Sequence, residues 1–276
     1  SQPKTEAKCR RLSCVSPKVC KLLDTNHAPL VELMRESRSV KGVKKVHIAS
    51  GIRMDLARNE PAYLDELVNH HVGGHLKVAP EHVSDKVLAQ MKKPPQSTFE
   101  EFSDRFRAAS KRAGKDQFLV PYFIASHPGS GLEEMIELAL FLKKNGHRPR
   151  QVQDFIPAPM DIATCMFHTG IDPETMKPVQ VATRPSDRAL QRALLQFFLP
   201  ENYFEVKKAL KRAGREDLIG DGPECLIPAR PSPQAREARD AKAADKKKRG
   251  KEGATRDGDR KKREGYRWAA RKGRRI

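Results

Sequence analysis

The sequence has no run approaching the roughly 18 uninterrupted apolar residues that span a bilayer. Its start, Ser1-Gln2-Pro3-Lys4, lacks the apolar core of a secretory signal. These absences predict a cytoplasmic protein with no membrane partner. Cysteine is scarce and odd in number, five in 276 residues. A chain this long builds a core without disulfide staples, so these read as reduced thiols or as ligands. An initiator Met is also missing, which hints at a fragment. What is present is a hydrophobic share of 38%, enough for a sizeable core.

The net charge of +19 suggests a nucleic-acid partner until it is located along the chain. From Arg230 to Ile276 there are 19 Lys and Arg against 7 Asp and Glu, so +12 of the +19 lies in the last 47 residues. The body is only mildly basic. After Pro228 almost no large apolar residue remains to offset the entropy of ordering, which predicts a disordered basic tail. Clustered Lys and Arg displace counterions from phosphates, and Tyr266 and Trp268 could stack on bases, so the tail is a candidate contact for RNA, DNA or ribosomes. The alternative is a solubilising extension.

Ser1 to Asn26 is polar, cysteine-containing and without period, and precedes a helix predicted from Pro29 to about Arg38. A rhythm then sets in. The alternating run Val43 to Ala49, closed by Ser50-Gly51, reads as a strand. Pro61 to Val68 puts Leu64, Leu67 and Val68 on one helical face. Leu76 to Ala79 reads as a second strand, and Ser84 is placed to cap a helix whose inner face is Val87, Leu88 and Met91. A further helix starts near Ser97, paired with Glu100 as a capping box, buries Phe99, Phe102 and Phe106, and stops at Gly114. Phe118 to Ala125 is a third strand, apolar enough for both faces to be covered. Leu132 to Lys144 is its helix, Gln151 to Ile156 a fourth strand, and Met160 to His168 a short helix. Asp187 to Phe198 and Asn202 to Ala213 read as two more helices.

Alternating strands and helices imply right-handed parallel crossovers, hence an α/β fold with a parallel sheet that is open or part of a barrel. Four units are too few to close an eight-stranded barrel. The organisation is a cysteine-containing segment over 1–27, strand–helix units over 28–170, a helical appendix over 171–228 and a disordered basic tail over 229–276.

In parallel α/β sheets ligands bind at the carboxyl ends of the strands, where loops and helix N-termini converge. Those loops carry Ser50-Gly51-Ile52-Arg53, Pro80-Glu81-His82, Ser126-His127-Pro128-Gly129 and Pro157-Ala158-Pro159. An arginine, a carboxylate and two histidines at successive strand ends form a polar ring suited to a charged cofactor. The bland reading is solvated loop residues and a Pro-Gly turn. Arg53, Glu81 and His127 are expected to share one rim.

These residues also carry a resemblance. The run Leu76-Lys77-Val78-Ala79-Pro80-Glu81-His82-Val83-Ser84-Asp85 through Lys93 resembles the fourth-strand segment of radical S-adenosylmethionine (SAM) enzymes of the methylthiotransferase type. Ser126-His127-Pro128-Gly129 resembles their fifth-strand loop. Ile48 to Arg53, His70-His71-Val72-Gly73-Gly74, Val78 to His82 and Gln151 to Phe155 more closely resemble the YgiQ-type radical SAM proteins, over about Cys9 to Pro228. The resemblance implies the C-terminal part of a partial (β/α)6 barrel that binds a 4Fe–4S cluster and SAM, and that abstracts hydrogen from an unknown substrate through a 5'-deoxyadenosyl radical. It places Arg53, Glu81, Ser126, His127, Gly129, Gln153 and Phe155 nearest SAM, with Glu81 in polar contact and the Ser126–Gly129 loop packing near adenine.

The family's cluster is held by C-x3-C-x2-C, because three thiolates leave one iron open to SAM. This chain has no such motif. The expectation is that the cluster loop lies upstream and that the chain alone is inactive. Ser126 stands where the related loop often has glycine, and Ser130 where an acid is common. Cys9, Cys14 and Cys20 admit a second reading, as ligands of an auxiliary cluster or zinc, against unliganded thiols. Cys165, on a predicted helix with Met166 and Phe167, reads as core. From a different functional class, the competing hypothesis is a nucleic-acid-binding module acting through the tail.

Overall fold

Three parallel strands carry the site. The computed structural model describes residues 7–48 and 50–245. The tail beyond residue 245, with Tyr266 and Trp268, lies outside the described residues, as do residues 1–6 and Ala49. Helix α1 is Ala28–Ser39, α2 Met54–Ala57, and α3 Pro61–Glu66, which runs into a π-helical turn at Leu67–His71. Strand β1 is His75–Glu81, followed by α4 (Asp85–Gln90) and α5 (Gln96–Arg112). Strand β2 is Phe118–Ala125, α6 Leu132–Lys144 and β3 Gln153–Asp154. Helices α7 (Ile162–Thr169), α8 (Pro185–Leu195) and α9 (Tyr203–Arg212) follow. A last helix, α10, spans residues 233–245.

The sheet order is β1-β2-β3, all parallel. His75 to Val78 register with Phe118 to Pro121, and the ladder then breaks before Glu81 meets Phe123. Pro80 has no N–H to give to a ladder, which accounts for the irregularity there. Residues 43–48 form no strand. Their backbone holds to the π turn instead, with Ile48 N–H donating to His71 O at 3.0 Å. The predicted fourth strand shortens to Gln153–Asp154, since only the last two residues of β2 face it in register.

One sheet face is covered by helices. Leu76 and Val78 are buried in a cluster with α1, α3 and α5, including Phe102 and Phe106. Phe123 and Ala125 are buried in a second cluster with α6, α8 and α9. Phe141 packs against both. On the other face Lys77 is exposed, and Ala79, Val120, Tyr122 and Ile124 are half-buried. This corrects the expectation that β2 is covered on both faces. The apolar character of β2 instead reflects packing on one side and a half-open surface on the other.

The helices follow their apolar periodicity. In α5, Phe99, Phe102, Phe106 and Ala109 form the buried stripe. The expected capping box at Ser97 is absent: α5 starts at Gln96, whose N–H donates to Asp85 Oδ1 from the neighbouring helix at 2.9 Å. Ser84 stands at the N-cap of α4 but makes no side-chain cap. Residues 233–245, inside the segment expected to be disordered, are helical. Pro233 opens that helix and Ser232 Oγ accepts the Ala235 N–H at 3.2 Å. Ala235 is buried in the second cluster, and Arg239 sits 4.6 Å from the centre of the Phe204 ring.

Among the described residues no helix is long and apolar enough to cross a membrane.

Candidate cleft at the carboxyl ends of the strands

Each long strand ends in a residue with positive φ, a backbone region that non-glycine residues seldom occupy. Glu81 closes β1 at φ 69° and Ser126 follows β2 at φ 64°. Gly129, at φ 88°, turns the next loop, and a Cβ there would meet the Gln90 side chain at 3.1 Å. These turns redirect the chain above the sheet edge. Strained turns of this kind cost about 1–3 kcal/mol each and persist where neighbours over-determine them.

The neighbours are visible. Ser126 N–H donates to Gln191 Oε1 at 2.8 Å, and Gln191 Nε2 donates to Ser130 O at 2.8 Å. Gly129 N–H donates to Gln180 O at 2.8 Å. His127 is buried, with its ring edge-on to Phe155 at 5.2 Å between centroids. Its Nδ1 lies 2.8 Å from Pro128 O, so the proton is on Nδ1 and Nε2 remains an acceptor. Burial lowers the His127 pKa, against the bond to Pro128 O and the charge of Asp161, which raise it.

Above these turns lies a cleft of about 590 Å³, within the size range of small-molecule sites. Glu81, His127, Gln153 and Phe155 line it, together with Lys93 and Asp154. Ile124 and Ile156 supply apolar wall. Glu81 Oε1 is 3.4 Å from Lys93 Nζ. Ser126 is fully buried beneath the loop, and its Oγ has no hydrogen-bond partner. Asp154 accepts from Arg192 on one oxygen, while its Oδ1 is buried without a donor.

Of the predicted rim, Glu81 and His127 meet in the cleft and Arg53 does not. Arg53 lines a separate recess of about 60 Å³ with Pro80 and His82, and its Nη2 donates to Asp55 Oδ2 at 3.0 Å. Lys93 lines both spaces. His82 is buried, and burial with the nearby His127 pushes its pKa down to about 4 against the pull of Glu134. Its Nδ1 accepts the Ser84 N–H at 3.0 Å, which requires the neutral ring. Glu134 is the reverse case. Burial raises its pKa, but the bond from Lys86 Nζ at 2.6 Å and the backbone N–H donors prevail and hold it below the usual value.

The structure does not gather Cys9, Cys14 and Cys20. Cys9 and Cys14 are exposed, Cys20 is half-buried, and all three are free. Among the described residues no group of three or more His, Cys, Asp or Glu is placed to hold a metal ion. Cys165, read as core, is exposed. Sequence reasoning passed over Lys93, Asp154, Arg188, Gln191 and Arg192. The last three carried one available signal, a polar stripe at spacings of three and four on a predicted helix.

Comparison with known proteins adds ancestry to this geometry. A family model described as a domain of unknown function (DUF3362) matches residues 150–274. A UPF0313 protein of Vibrio cholerae is 49% identical over 238 residues, 84% of this chain and 30% of that protein. A UPF0313 protein of Rhodopseudomonas palustris is 47% identical over 234 residues, 83% of this chain and 35% of the relative. UPF0313 protein YgiQ of Escherichia coli K12 is 45% identical over 242 residues, 86% of this chain and 33% of the relative. The chain spans about a third of the length of these curated relatives.

Proposed function

The chain belongs to the UPF0313 family along most of its length, and on that premise we propose that its strand-end cleft binds S-adenosylmethionine as part of a radical SAM enzyme. One observation carries the reading: three parallel strands bring Glu81, His127, Gln153 and Phe155, distant in sequence, to the walls of one cleft. Helices on one sheet face and a half-open opposite face suit a partial barrel better than a doubly wound sheet, which covers both faces.

The donor set fits SAM. The molecule presents a sulfonium, an ammonium, a carboxylate, ribose hydroxyls and a flat apolar base. Glu81 and Asp154 supply negative charge for the cationic groups, and Lys93 is the counterpart for the carboxylate. Phe155, Ile124 and Ile156 supply apolar wall for adenine. The unpaired Asp154 Oδ1 is an acceptor in want of a donor. When bound, SAM would supply hydrogen-abstraction chemistry once one electron from an iron–sulfur cluster outside these residues cleaved its sulfonium C–S bond. The work of these side chains is to bind the cofactor, orient it against the strand ends and exclude water. The described residues do not fit an iron–sulfur cluster, because no three ligating side chains converge among them. Cluster ligation is therefore not assigned to these residues.

Equilibrium dialysis of SAM against the whole chain tests the reading. Saturable binding is expected. A hydrogen bond to a charged group contributes about 1.5–3 kcal/mol, so Glu81→Ala is expected to weaken binding by about tenfold or more. Absence of saturable binding, or an unchanged Glu81→Ala, would refute it.

A further inference from the structure

Helix α8 presents Arg188, Gln191 and Arg192 at spacings of three and four, one polar stripe on a helix whose other face is in the core. Each member bonds to a segment that contributes to the cleft. Gln191 is buried, takes the Ser126 N–H and gives its own N–H to Ser130 O, both at 2.8 Å. A primary amide can accept at one end and donate at the other. It closes both ends of the loop that follows β2. Arg188 Nη2 donates to Phe155 O at 2.7 Å, and Arg188 and Arg192 flank Asp154. One helix therefore ties the loop after β2 to the residues at the end of β3, and both of these line the cleft.

We propose that α8 is the brace that holds the cleft in its binding shape from behind its lining, and that Gln191 is a positioning residue acting through the Ser126–Ser130 loop. Ser126 sits at positive φ with its N–H buried, and the Gln191 oxygen is the acceptor for that N–H, so losing it leaves a buried donor unsatisfied at a costly turn. The consequence for cofactor affinity rests on the SAM reading. The consequence for the loop does not.

Two measurements on the whole chain separate them: amide hydrogen exchange of residues 126–131, and dialysis with SAM. Gln191→Leu keeps the bulk and removes both bonds. Its loop amides are expected to exchange at least about tenfold faster and SAM to bind about tenfold more weakly, while Leu138 and Leu142 amides in α6 stay protected and report an intact core. Gln191→Glu keeps an acceptor for Ser126 and loses the donor to Ser130, so it is expected to keep protection at Ser126 and to lose less affinity. Gln196→Leu removes the bonds that the C-cap residue of α8 gives to Pro149 O and Arg150 O, neither of which lines the cleft, and is expected to bind as wild type. Unchanged loop exchange in Gln191→Leu would overturn the proposal, as would a loosened loop with wild-type affinity or an equal loss in Gln196→Leu. If the wild-type chain takes no SAM, the cofactor reading fails by itself, and the exchange difference still decides the clamp.

Discussion

At the scale of single residues, His82 shows how one buried ring sets a pH response. Its Nδ1 accepts the Ser84 N–H, and burial holds its pKa at about 4, well below the ordinary value of 6.5. Between those values the unfolded chain binds the extra proton and the folded chain does not. The stabilisation is therefore complete above pH 6.5 and is lost as pH falls toward 4. The group contributes on the order of 3 kcal/mol across that window. His127, whose pKa burial also lowers, acts in the same direction. Urea unfolding at a series of pH values checks this: wild-type stability should fall through the window, and His82→Gln should flatten the fall. Equal slopes would show that His82 titrates normally in the fold.

At the scale of elements, the anchoring of α1 depends on one buried carboxylate. Glu66 accepts Arg35 Nε at 2.8 Å and Arg38 Nε at 3.1 Å, and His71 Nε2 lies 3.4 Å away. Burial raises the Glu66 pKa, but the two arginines and His71 outweigh it and hold the carboxyl low. Both arginines are partly exposed, so the pairs are screened. Glu66→Ala is expected to cost about 1–3 kcal/mol through the groups left unsatisfied. Exchange protection should drop across Ala28–Ser39 and persist in α6. In the core, Phe102→Ala removes a fully buried ring and is expected to cost about 3–5 kcal/mol in chemical denaturation. These elements were legible in the sequence because local pattern decides them. The bounds of β2 and α6 come out as the apolar run and the 3.6-residue period indicate. What sequence could not show depended on distant partners. The α5 start is capped by Asp85 of another helix, and residues 43–48 alternate like a strand yet bond to the π turn.

At the scale of the whole molecule, the body extends further along the chain than composition implied. Helix 233–245 is rich in Ala and charged residues, but one buried alanine and Arg239 over Phe204 join it to the second cluster. A chain cut after Pro228 is accordingly expected to be about 1–3 kcal/mol less stable than one cut after residue 245, in the range for losing a cap and a small packed element. Equal melting of the two would show that the helix adds nothing. The site was legible to the same degree. Parallel topology, with the bonds from α8, brings Glu81, His127, Gln153 and Phe155 to one cleft. Arg53 is drawn aside by Asp55, two residues away, and Asp154 and Gln191 owe their places to α8, which reads locally as an appendix.

The most direct measurement is an amide chemical-shift map of the chain titrated with S-adenosylmethionine. The cleft predicts saturable shifts at Glu81, at His127 to Gly129 and at Gln153 to Phe155, with α1 unmoved. Shifts confined to other surfaces, or none, would contradict it.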